Sequence, residues 1–137
     1  MAHRKVCQDC PGWVFSPCQP STAYVACGLV DENGERTQLT VELLFNTSPK
    51  TNTTTIAFSM FKLEMGERIR VYQLHVKKRR KSSEHDLPHE HIGSTRVLGL
   101  QEWNNWGYDE ALQHFCKQAN IEFVPPVCDP AHFELKS

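Results

Sequence analysis

The chain has 137 residues, a formal net charge of −1, 23% charged and 39% apolar residues. That suffices for one domain (1–137) with its own core, and it excludes both a disordered polyelectrolyte and a global positive field that would bind nucleic acid indiscriminately. No apolar run approaches the roughly 18 residues that a membrane helix needs, and no apolar signal region follows the basic start Met1–Lys5, so a cytoplasmic protein with no membrane contact is expected.

Residues 1–20 are rich in Cys and Pro and show neither helical nor strand periodicity. In a cytoplasmic chain the six cysteines are expected to be free or metal-bound rather than bridged. Cys7 and Cys10 form a Cys-x-x-Cys pair, a spacing that places two thiolates on one tetrahedral ion. Cys18 and Cys27 are candidates to complete a structural zinc site, and so are His3 or a histidine of the distant cluster. The alternative is unliganded cysteines packed by Trp13 and Phe15. The sequons at Asn46 and Asn52 would matter only in a secreted chain and are read as parts of a polar turn.

Residues 21–100 read as sheet. Ser21–Val30 is a strand, and Asp31-Glu32-Asn33-Gly34 is a hairpin turn, because Asn-Gly accepts the positive φ that tight hairpins require. Leu39, Val41, Leu43 and Phe45 then alternate with Gln38, Thr40 and Glu42, which puts one face of that strand in the core. After a polar loop at 46–54, Thr55–Met65 and Arg68–Val76 form two further strands, and Thr95–Leu100 a short fifth. Tyr108, Ala111, Leu112, Phe115 and Ala119 fall at helical spacing, with Asp109 and Glu110 in the first turn, predicting a helix over 108–121. Residues 122–137 form an extended tail. The expected fold is α+β: an antiparallel β-meander of four to five strands with one helix packed on one face.

Chemistry concentrates between Arg68 and Gly93. A strand runs into five consecutive cations, Lys77, Lys78, Arg79, Arg80 and Lys81, followed by a histidine-bearing loop. His75 precedes the run; His85, His89 and His91 follow it. Imidazoles can move protons near neutral pH, and clustered cations can seat phosphate. If His89-Glu90-His91 is extended, both imidazoles project from one face and could meet one substrate or one metal ion. The bland alternative is a chance His-x-His pair beside a solvated basic turn that keeps an edge strand from pairing. Cys116, at the margin of the helix's apolar stripe, is read as packed rather than as a nucleophile.

Pro88-His89-Glu90-His91-Ile92, then Phe115 to Ile121 with Asn120, then Pro125-Pro126, resemble a family of small bacterial proteins of unassigned activity. Some of its members occur in toxin–antitoxin-like or mobile-element settings. The resemblance spans residues 68–127 and implies a site at His89 and His91, a bacterial or phage origin and a protein partner. The first reading is a small toxin-like protein acting on nucleic acid, a metal-independent ribonuclease with RNA as its target. His75, His85, His89 and His91 would be its catalytic candidates, and Lys77–Lys81 its nucleic-acid contacts. The alternative is a non-enzymatic, zinc-stabilised interaction or inhibitor module of a bacterial defence locus or phage. Its protein partner, a cognate antitoxin or a target, would be held in part by Trp103 and Trp106.

Overall fold

The computed structural model describes residues 4–8, 13–15, 22–48, 53–79, 88–99, 106, 108–124 and 127. These form strands β1 (Lys5–Gln8), β2 (Val14–Phe15), β3 (Thr22–Val30), β4 (Arg36–Ser48), β5 (Thr53–Glu64), β6 (Glu67–Arg79), β7 (His89–Ile92) and β8 (Thr95–Leu98). Helix α1 (Tyr108–Ala119) and strand β9 (Ile121–Val124) follow. All nine strands belong to one sheet, in the order β8-β7-β6-β5-β4-β3-β1-β9, with β2 paired onto β3. From β3 to β8 each strand is antiparallel to the next. Strand β1 is antiparallel to β3 and parallel to β9.

The expected meander of four to five antiparallel strands is therefore wrong: the sheet is wider and mixed. Two physical reasons account for the difference. The parallel β1–β9 pair joins Lys5 to Ile121 and Cys7 to Phe123, contacts so distant in sequence that no local pattern announces them. Residues 89–92, read as loop, pair with β6 on one side and β8 on the other. The polar stretch 46–54 also contributes to the sheet, because β4 runs to Ser48 and β5 starts at Thr53.

Among the described residues, three turns set registers of the meander. The Asp31 carboxylate accepts from the backbone N–H groups of Asn33 (2.9 Å) and Glu35 (3.0 Å), closing the β3–β4 hairpin. Glu64 pairs with Glu67, so Met65-Gly66 is a two-residue turn, and both residues take positive φ (53° and 79°), the backbone that matches strand twist. Ile92 pairs with Thr95 across Gly93-Ser94. Helix α1 stops where Asn120 adopts φ 57°, a left-handed cap that turns the chain into β9.

One face of the sheet carries the core. Val25, Val41, Leu43, Ile56, Phe58, Met60, Tyr72, Leu74 and Val76 are buried there against Tyr108, Ala111, Phe115 and Ala119 of α1. Phe115 stacks on Tyr72 (5.7 Å between centroids) and meets Phe58 edge-on (5.8 Å), while Phe58 meets Tyr108 at 6.0 Å. Among the described residues no helix is long and apolar enough to cross a membrane.

The sulfur atoms of Cys7 and Cys27 are joined in a disulfide, against the expectation of unbridged cysteines. Pairing of β1 with β3 brings the two residues together across 20 positions of sequence. Two of the four candidate zinc ligands are thus bonded to each other; Cys10 and Cys18 lie outside the described residues.

Phe58→Ala should lower stability by about 3–5 kcal/mol, since it empties the site where α1 meets the sheet; urea denaturation measures it. Non-reducing digestion should yield a Cys7–Cys27 cross-linked peptide. Reduction should cost about 3 kcal/mol by the loop-closure argument, and an unchanged urea midpoint would contradict that role.

Candidate functional site

Alternation along β6 sends Tyr72, Leu74 and Val76 toward α1 and sends Gln73, His75 and Lys77 to the far face of the sheet. Strand β7 obeys the same rule. Register places His89 opposite His75, Glu90 opposite Leu74 and His91 opposite Gln73. The two imidazoles of His89-Glu90-His91 therefore share the far face with His75, and the carboxylate between them points to the helix side.

The rings are in contact. His75 stacks on His89 with centroids 4.8 Å apart and planes 18° from parallel, and His91 meets His89 edge-on at 5.0 Å. Arg96 of β8 lies opposite His91. The His75 imidazole is pushed down to about 4 by burial, with smaller contributions from His89, Lys77, His91 and Arg96. His91 is lowered too, by burial first and then by Arg70, His89 and Arg96. Desolvation and like charge both disfavour the imidazolium. His75 and His91 are thus neutral bases at pH 7, set among cations.

Behind β7, Glu90 ties the strand to the core. Its carboxylate accepts from the Tyr72 hydroxyl and lies 3.2 Å from Nε2 of His114 on α1. The Trp106 ring lies 5.1 Å from the His114 ring. Burial and the Glu90 carboxylate raise the Tyr72 hydroxyl well above its usual range, so it remains a donor. Burial likewise pushes the Cys116 thiol up to about 12, which leaves it protonated and packed against the core.

Of the predicted site residues, the structure brings together His75, His89 and His91, with Lys77 on the same face. Lys78 and Arg79 complete β6, so the basic run begins inside a strand rather than after it. Arg80, Lys81, His85 and Trp103 lie outside the described residues. Sequence reasoning missed Arg70, Arg96, Glu90 and His114. Arg96 was legible in principle, because Gly93-Ser94 between short β-prone runs signals a hairpin that folds Arg96 back beside His91. His114 shows no such signal, since its contact with Glu90 depends on how α1 packs.

Among the described residues no group of three or more His, Cys, Asp or Glu side chains is arranged to hold a metal ion. Compared with protein-family models, curated proteins and solved structures, the chain matches none.

Between pH 6.5 and about 4 the unfolded chain binds a proton at His75 that the folded chain refuses. Stability from this group is fully present above pH 6.5 and is lost as pH falls toward 4. Replacing His75→Phe keeps a stacking ring and should flatten that acid limb. Thermal melts across this range compare the two proteins; identical slopes would remove His75 as the cause.

Proposed function

We propose that the chain is a small toxin-like ribonuclease whose far-face imidazoles cleave RNA without help from a metal ion. The observation that carries this reading is the contact trio His75, His89 and His91, bordered by Lys77 and Arg96. Arg70 is also close enough to act on His91. The one acid within the motif, Glu90, is turned away to Tyr72 and His114. A neutral base at His91 among cations suits a phosphodiester, whose charge the cations would hold.

In this mechanism His91 takes the proton of a ribose 2′-hydroxyl. The 2′-oxygen attacks phosphorus, the bond from phosphorus to the 5′-oxygen breaks, and His89, entering the step as the imidazolium, delivers its proton to that leaving oxygen. Proton exchange with water then returns His89 and His91 to their starting forms. The products are a 2′,3′-cyclic phosphate and a 5′-hydroxyl. His75, neutral down to about pH 4, backs the His89 ring by stacking. Arg70 and Arg96 steady the extra negative charge on phosphorus. The resemblance of residues 68–127 to proteins from toxin–antitoxin-like settings points the same way and adds a cognate inhibitor protein as partner. The cytoplasm, where RNA is met, is the compartment of action. Glutathione there reduces accessible disulfides; in this bridge Cys7 is fully buried and Cys27 partly so.

Purified protein incubated with a mixed cellular RNA pool should release fragments ending in cyclic phosphate. A folded His89→Ala/His91→Ala variant should be slower by at least about 100-fold, the usual scale of acid–base catalysis. Intact RNA after incubation with the native protein would overturn the assignment.

A further inference from the structure

The far face holds a second feature beside the imidazoles. An open, shallow cavity of about 410 Å³ is lined by Phe61, Arg68, Ile69, Arg70, Gln73 and the Gly93-Ser94 turn. Gln73 lies directly across the sheet from His91, so this cavity adjoins the proposed site of cleavage. Its volume falls in the range of about 300–1,000 Å³ typical of small-ligand sites.

The walls carry two kinds of chemistry. The Arg68 guanidinium sits 4.1 Å from the centre of the Phe61 ring and pairs with Glu42 at 2.5 Å, which brings cation and arene together at the wall. Arg70 donates from Nη1 to the Gln73 side-chain oxygen at 3.1 Å, and Gln73 donates in turn to the Ser59 hydroxyl at 2.7 Å. That relay fixes the Arg70 guanidinium at the wall. Its Nε–H is buried and has no acceptor within the protein. That atom is closed off from solvent, so an anion in the hollow would meet Arg70 through its outer guanidinium nitrogens. The lining holds two arginines and no acid.

We infer that this cavity seats one nucleotide of a single-stranded RNA, its base against the Phe61–Arg68 surface and its phosphate on Arg70. The adjacent phosphodiester then lies at His89 and His91. The assignment rests on the ribonuclease reading for the choice of RNA, and it defines the substrate as unpaired. A base must leave its duplex partner to stack on an arene and a guanidinium.

Binding is measured on the full chain by fluorescence anisotropy, with a fluorescein-labelled 2′-O-methyl RNA octamer that cannot undergo the cleavage step. The native protein should bind the single strand more tightly than the same octamer in a duplex. Ser94→Trp, at an exposed turn position, should block the cavity and weaken binding roughly 10-fold, as should Phe61→Leu. Arg70→Gln should reduce the slope of log affinity against log salt by about 0.7. No binding by the native protein, or binding unchanged in Ser94→Trp and Arg70→Gln, would overturn the inference even if the native protein cleaves RNA. Cavity-dependent binding without cleavage would leave the subsite standing and remove the catalytic assignment instead.

Discussion

Phe115 of α1 packs against both Phe58 and Tyr72, and that contact decides which side of the sheet is covered. With the helix seated there, every side chain on the other side of β5, β6 and β7 belongs to the far face. Tyr72 carries the constraint one strand further. Its ring is part of the core, yet its hydroxyl needs a polar partner when buried, and Glu90 supplies it. The Glu90 carboxylate also meets His114, so β7 is held to the helix through polar contacts as well as to β6 through its backbone. The imidazoles on either side of Glu90 inherit their position from this anchoring.

Their electrostatics follow from the same placement. Half-buried rings beside arginine and lysine lose the charged form, which is why His75 and His91 stay neutral. A bound polyanion would offset the neighbouring cations and return His91 toward its ordinary range. The imidazole that accepts a proton in the bound state would then hold it better than it does in the free protein. In the ribonuclease reading, substrate charge and base strength are thus coupled through Arg70 and Arg96.

Much of the central meander is legible in the chain itself. The alternation of Leu39, Val41, Leu43 and Phe45, the Asn33-Gly34 turn and the apolar stripe of α1 each mark an element found in place. These are local signals, arising within a few residues. One end of the sheet was hidden because β1 meets β9 in parallel across the length of the chain. The disulfide was hidden for the same reason: its partners become neighbours only once β1 lies beside β3. At the candidate site the histidines at 75, 89 and 91 stood out in the sequence, and the β6–β7 register supplies the reason they meet. Arg70 reaches the same face after a bulge opposite Met60 and Phe61, an irregularity that shifts the alternation and defeats counting by twos.

The alternation inside His89-Glu90-His91 also limits how this chain can vary in length. A single residue gained or lost within β7 would exchange the faces, turning two imidazoles into the core and setting a carboxylate among the arginines. A change of two would restore the pattern. Descendants of this sequence that retain the imidazole patch should therefore differ within β7 only by even numbers of residues, whatever happens to the substitutions around it.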